Sequence, residues 1–306
     1  MSPLSWYGRV VSRLIAQGLP TQQSSSSTIP SPNSALSGAQ FVSVVAGFPK
    51  DLKSGKMKKG QIGEDAWVIA RSKAGDVLGV ADGVGGWRQY GVDPGLFSSG
   101  LLRAVDNLVS LGMITPSRPA SLLASAFREL RNSKMQVVGS STACLLVLSR
   151  EDNKLYSANI GDSGFLVVRG GEVVHRSEEQ QHYFNTPYQL SLPPPGQRGH
   201  VLSDSPESAD QSQFPVQDGD VILMATDGVF DNVPDTVLLG ELTKISGVRD
   251  PSSLQQTANA IALIARTLAF DSRFVSPFAK NARQAGIHAI GGKPDDITVL
   301  LATVAI

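Results

Sequence analysis

Five apolar stretches of this chain have acidic residues at one end. VLGVA (77–81) runs into Asp82-Gly83, KLYSANI (154–160) into Gly161-Asp162, and DVILMAT (220–226) into Asp227-Gly228. ITVLLATV (297–304) follows Asp295-Asp296, and AWVIA (66–70) follows Glu64-Asp65. One Asp-Gly alone is a turn, because Asp bonds its own backbone and Gly supplies positive φ. Repetition argues for more. Strands packed side by side bring equivalent ends together, and carboxylates gathered there repel unless cations neutralise them. Oxygen donors without His or Cys suit hard divalent ions, Mg2+ or Mn2+. A pair of such ions can orient and deprotonate a water and stabilise charge on a phosphoryl group. Glycine beside three of these aspartates, Asp82, Asp162 and Asp227, lets the backbone come close, so a Gly carbonyl is a further candidate ligand.

The elements that must position these acids follow from local pattern. Strands are expected at 66–71, 77–81, 142–148, 154–160, 164–169, 220–226 and 296–304. Helices are expected at 96–111, 119–134, 234–245 and 252–269, the last with Leu254, Ala258, Ile261, Ile264 and Leu268 on one face and Ser252 or Ser253 as its cap. Strands come in pairs with connections too short for parallel crossovers, so hairpins and antiparallel sheets covered by helices are expected. Segment 183–215 is rich in Pro, Ser and Gln and reads as a long surface excursion.

The ordered segments Glu64-Asp65, Asp82-Gly83-Val84-Gly85-Gly86, Gly161-Asp162-Ser163, Ala225-Thr226-Asp227-Gly228-Val229-Phe230-Asp231 and Pro294-Asp295-Asp296-Ile297-Thr298-Val299 resemble the motifs of the type-2C, or PPM, Ser/Thr protein phosphatases. They appear in family order and span 64–299. GGWRQYGVDPGLFS (85–98) and SEEQQHYFNTPYQL (177–190) resemble its mitochondrial subgroup called T-cell activation protein phosphatase 2C-like. The resemblance implies an α+β fold: a β-sandwich of two antiparallel sheets flanked by paired helices, four layers in the order αββα. It implies that Asp82 bridges two Mn2+ or Mg2+ ions, with the Gly83 carbonyl on one of them and Asp227 and Asp295 completing the set. Glu64 would hold a metal-ligated water and Asp65 would orient the attacking water. Asp162 and Asp231 match positions of a third, weaker ion. Two departures stand out. Many members carry His where this chain has Val84, and many carry a phosphate-holding Arg where it has KKGQIG (58–63), which makes Lys58 and Lys59 the candidate phosphate contacts. His182 is a candidate proton donor, although a surface or core role suits a lone histidine better.

Two other patterns mislead. Cys144 and Arg150 have the C-x5-R spacing of cysteine phosphatases, but the intervening LLVLS is a strand rather than a loop curled around phosphate. Gly161-Asp162-Ser163-Gly164 is similar to a serine-protease nucleophile loop, yet all four histidines follow Ser163 in the chain.

Composition bounds the remainder. The chain has 306 residues, 41% hydrophobic and 18% charged, with zero formal net charge and one cysteine. That excludes a disulfide framework and gives no sign of nucleic-acid binding or of a membrane span. No acid precedes Asp51. Leu4, Tyr7, Val11 and Leu14 fall on one helical face, Arg9 and Arg13 lie elsewhere, and a Ser-rich run follows at 21–34. Residues 1–40 therefore read as a mitochondrial presequence and linker, and 41–306 as the catalytic domain. The expected activity is hydrolysis of phosphoserine and phosphothreonine in mitochondrial matrix proteins, with a role in metabolism that includes coenzyme Q production implied by the subgroup. The rival expectations are a catalytically weak phosphoprotein-binding regulator and a small-metabolite phosphohydrolase.

Overall fold

In the computed structural model the described residues are 38–52, 59–196 and 201–306. Most of the expected presequence, and Lys58, lie outside them. Two antiparallel sheets dominate. The larger has six strands in the order β13 (Asp210–Pro215), β7 (Lys154–Ile160), β6 (Ala143–Ser149), β4 (Gly75–Asp82), β3 (Asp65–Arg71) and β2 (Gln61–Ile62). The other has five: β1 (Gln40–Phe48), β15 (Ile297–Ala305), β14 (Val221–Ala225), β8 (Gly164–Arg169) and β9 (Glu172–Arg176). Short pairs form between β10 (Gln181–Tyr183) and β11 (Thr186–Pro187), and between β5 (Gly139–Ser141) and β12 (Leu190–Leu192).

The central strands are apolar on both faces because both faces are covered. Along β4 and β6, Leu78, Val80, Cys144, Leu146 and Leu148 point into the space between the sheets, against Phe165, Val167, Ile222, Met224, Leu300 and Ala302. Their neighbours Val77, Ala81, Leu145 and Val147 point the other way, onto α1 (Pro94–Ser110) and α2 (Pro119–Arg131). The period of two thus builds two cores from one run of residues. Beyond β14 come α3 (Asp227–Phe230), α4 (Asp235–Leu242), α5 (Pro251–Ala269) and α6 (Pro277–Gln284). Helix α5 covers the outer face of the five-stranded sheet, where Gln255 donates to the Val45 carbonyl (2.9 Å) and Arg266 to the Pro49 carbonyl (3.0 Å). This is the expected four-layer αββα sandwich.

Three local expectations change. The cap of α5 is Asp250, whose carboxylate accepts from the Ser253 amide at 2.9 Å, not Ser252 or Ser253. Pro251 takes the first helical position, where its missing N–H costs nothing, and this puts the cap at Asp250, ahead of either serine. Segment 183–215 is not all excursion: its end forms β13, paired with β7 and alternating in exposure. A polar edge strand has no apolar run to announce it. Strand β1, which pairs along its whole length with β15, is absent from the expected strands: it runs from Gln40 to Phe48, at the start of the expected catalytic domain. Among the described residues no helix is long and apolar enough to cross a membrane.

Leu146 is fully buried between the sheets. Leu146→Ala is expected to lower unfolding free energy by about 2–5 kcal/mol, and Leu146→Met by less than about 1.5. Equal losses in urea titrations would contradict an interior packed by shape.

Candidate active site

The acids collect at one end of the sandwich. Asp65 opens β3 and Asp82 closes β4, and the two face each other in the strand register. Across the gap, Asp227 follows β14, Asp295 precedes β15, and these two strands are neighbours. Asp162 lies in the turn between β7 and β8, and Asp231 caps the end of α3.

Asp65 joins the two sheets. Its Oδ2 accepts from the Thr226 hydroxyl at 2.8 Å and the Thr298 hydroxyl at 2.7 Å, both belonging to the opposite sheet's strand ends. Its Oδ1 is buried with no hydrogen-bond partner, as are Oδ1 of Asp162 and Oδ1 of Asp227. Asp82 is tied through its backbone: its amide donates to the Thr142 hydroxyl (3.0 Å) and its carbonyl accepts from the Thr142 amide (2.9 Å). The Gly83 amide donates to the Glu64 carbonyl, and a Cβ at residue 83 would stand 2.7 Å from the Pro94 carbonyl oxygen, so only glycine fits the turn.

Adjacent acids have opposite duties. Asp296 spends its carboxylate on backbone amides, although its charge still reaches Asp65. The Asp296 carboxylate accepts from the Glu64 amide (2.7 Å) and the Lys50 amide (2.5 Å), fixing the loop that carries Glu64. Gly63, at φ +62°, passes so close that a Cβ there would collide with that carboxylate. Arg88 donates from Nε to Glu64 Oε1 at 2.5 Å.

The convergence sets the electrostatics of the site. Burial raises the Asp82 carboxyl well above its usual range, and the charges of Asp227, Asp65, Asp295 and Asp162 add to the rise. Asp65 is raised by burial and then by Asp296, against the opposing pull of Thr298 and Thr226. Asp162 is raised by burial and Asp227. Burial and Asp227 take Asp295 to about 7 even though Lys293 opposes them, and Asp231 rises to about 6 under burial with Lys293 opposing. The Lys293 ammonium meets Asp227 Oδ2 at 2.5 Å, Asp231 Oδ2 at 2.7 Å and Asp295 Oδ2 at 3.7 Å.

Do these residues fit divalent ions? Buried oxygens of three carboxylates without partners are what a polar interior avoids unless a cation answers them. The donors are all oxygen, the preference of Mg2+ and Mn2+. As they stand, no three acidic, histidine or cysteine side chains among the described residues are gathered closely enough to ligate one ion. Lys293 stands among them instead. The fit is therefore one of donor chemistry, with the carboxylates drawn together by whatever cation is present.

Other candidates fall elsewhere. Lys59 is exposed in the turn before β2. His182 hydrogen-bonds Asp204 (3.0 Å) and stacks on Tyr188, rather than joining the aspartates at the strand ends. Cys144 is buried and its thiol is pushed up by desolvation, while Arg150 pairs with Asp76 at 2.6 Å, so neither can serve cysteine chemistry. Sequence reasoning gave no role to Arg88, Lys293, Asp296, Thr226 or Thr298. Four of the five carry the site through hydrogen bonds to its acids, and Asp296 carries it through backbone amides; the signal available was their place inside or beside the quoted motifs.

A family model described as Stage II sporulation protein E (SpoIIE) matches residues 74–305. A Danio rerio protein named Protein phosphatase PTC7 homolog is 54% identical over 300 residues, covering 98% of this chain and 97% of the relative. The Homo sapiens protein of the same name is 53% identical over 301 residues, with the same coverage. The chain belongs to the PP2C-type protein phosphatases, beside the PTC7 homologues. Among solved structures, the photosystem II phosphatase PBCP is 30% identical with a TM-score of 0.70, over 87% of this chain and 98% of that one. The catalytic domain of the serine/threonine phosphatase PstP, in complex with two manganese ions, shares the fold at 16% identity and TM-score 0.52, over 88% of this chain and 100% of that one. The PP2C fold explains why five separate strand ends, remote in sequence, carry one site.

The raised carboxyls give a signed pH prediction. A carboxyl whose pKa is higher folded than unfolded contributes stability in full below the unfolded value, near 3.8, and loses it as pH climbs through the folded value. For Asp295 that window runs from about 4 to about 7. Stripped of divalent ions, the protein is expected to lose melting temperature across that window, with a shallower loss in Asp295→Asn. Identical slopes for the two proteins would contradict the assignment.

Proposed function

We propose that this phosphatase hydrolyses phosphoserine and phosphothreonine in mitochondrial proteins at a centre of two Mn2+ or Mg2+ ions. The observation that carries the metal part is the set of buried, unpartnered oxygens on Asp65, Asp162 and Asp227 where the strand ends converge. Asp82, the Gly83 carbonyl, Asp227 and Asp295 would hold the ions, which when bound supply Lewis acidity to water and to phosphoryl oxygens.

The remaining steps belong to the chain's own groups. Asp65, pinned at Oδ2 by two threonines, presents Oδ1 to orient the attacking water and receive its proton. As the water oxygen bonds phosphorus, the bond to the serine or threonine oxygen breaks, with no covalent enzyme intermediate. Val84 has no proton to give the leaving oxygen, and His182 is engaged with Asp204, so solvent is the donor. Arg88, beside Glu64, is better placed than Lys59 to receive the phosphate.

Mitochondrial matrix residence rests on residues 1–40, acid-free with an amphipathic, Arg-bearing start, and on the subgroup resemblance. The same resemblance supports a contribution to mitochondrial metabolism, including coenzyme Q production.

With phosphopeptide substrate, residues 41–306 should turn over in Mn2+ or Mg2+, stop on chelation, and fail in Asp82→Asn. Chelator-resistant turnover, or an active Asp82→Asn, would sink the metal mechanism; intact ion binding with no turnover on any phosphopeptide would favour a regulator. Arg88→Ala should raise KM by about tenfold, the loss of one charge-assisted contact, while Lys59→Ala changes it little. The reverse order would restore the lysine assignment. Residues 1–40 fused to a fluorescent reporter should carry it into mitochondria, and a cytosolic reporter would refute the presequence.

A further inference from the structure

We propose that Lys293 is the resident cation of the outer part of the acidic centre: its ammonium, held between Asp227 and Asp231, takes the place an ion would occupy there, so that the centre binds two divalent ions and not three.

The position of this lysine is built, not incidental. Its amide donates to Asn232 Oδ1 at 2.8 Å and its carbonyl accepts from Asn232 Nδ2 at 2.9 Å. Asn232 is fully buried and its Nδ2 also donates to the Gly228 carbonyl at 3.0 Å. The backbone that launches Lys293 is thereby locked to the segment that carries Asp227 and Asp231. The ammonium lies 2.5 Å from Asp227 Oδ2 and 2.7 Å from Asp231 Oδ2, and the Phe278 ring stands 5.4 Å from it. Phe278 is held in turn by its amide, which donates to the Asp231 carbonyl at 3.0 Å. Three carboxylates face the Lys293 ammonium, Asp227 at 2.5 Å, Asp231 at 2.7 Å and Asp295 at 3.7 Å. A divalent ion and an ammonium cannot share the space between the same two oxygens.

The lysine spends only part of the acidic capacity. It engages Oδ2 of Asp227 and leaves Oδ1 unpartnered, as it leaves Oδ1 of Asp162 and Oδ1 of Asp65. Of these, Asp227 Oδ1 remains for an ion and Asp65 Oδ1 for the attacking water. The charge is also positioned by sequence: Lys293 stands two residues before Asp295, at the entry to β15, so the same strand end delivers an acid and its counter-charge.

This inference rests on the metal-centre reading above, and ion counting separates the two. Equilibrium dialysis against saturating Mn2+, with the metal counted per chain, should give two ions for the wild type and for Lys293→Arg. Lys293→Met should bind three, and adding Asp231→Asn to it should return the count to two. In the wild-type background Asp231→Asn should leave the count at two, which tests the idea even where Lys293→Met fails to fold. Three ions in the wild type, an unchanged count in a folded Lys293→Met, or a lost ion in Asp231→Asn would each overturn it. A wild type that binds no Mn2+ would contradict the metal centre itself.

Discussion

Repulsion among carboxylates crowded at one end of the sandwich is the constraint on which the rest of the site depends. Two unit charges 4 Å apart near a protein surface interact by about 4 kcal/mol. Here Asp82 feels four other aspartates. No fold keeps such a cluster for stability, because apolar residues in those positions would serve better. The structure meets part of the cost with hydroxyl donors to Asp65 and the ammonium of Lys293. What it leaves unanswered is one buried oxygen on each of Asp65, Asp162 and Asp227, which a further cation or a held water would satisfy.

The sandwich makes that crowding possible. Asp65 comes from one sheet and accepts hydrogen bonds from threonines at the strand ends of the other, so the junction of the sheets and the junction of the site are the same contact. Neighbours in sequence then divide the work, since side chains alternate along an extended backbone. Asp295 faces the cluster while Asp296 turns away to hold the Glu64 and Lys50 amides. Thr226 and Asp227 split likewise, one bracing Asp65 and the other joining the cluster.

Central strands were legible in the sequence because covered faces require unbroken apolar runs, and the aspartates were legible because they punctuate those runs. Strand β13 was not, since one face meets solvent and its alternation DQSQFP contains few apolar residues. Strand β1 was hidden by its join to the low-complexity segment before it. The site's cations escaped for another reason. Arg88 and Lys293 act through distances to residues 24 and 66 positions away in the chain, and no local pattern encodes such pairings. Asp296 was visible as half of an acidic pair, but which half faces the site follows only from the strand's orientation.

The junction of Asp82, Asp227 and Asp295 is the proposed site for divalent ions. Anomalous diffraction at the manganese edge, from crystals of residues 41–306 grown with Mn2+, tests it most directly. Two anomalous peaks are expected at that junction, both within ligand distance of Asp82. Crystals whose only peaks lie on the outer surface, with the carboxylates still gathered on Lys293 alone, would contradict it.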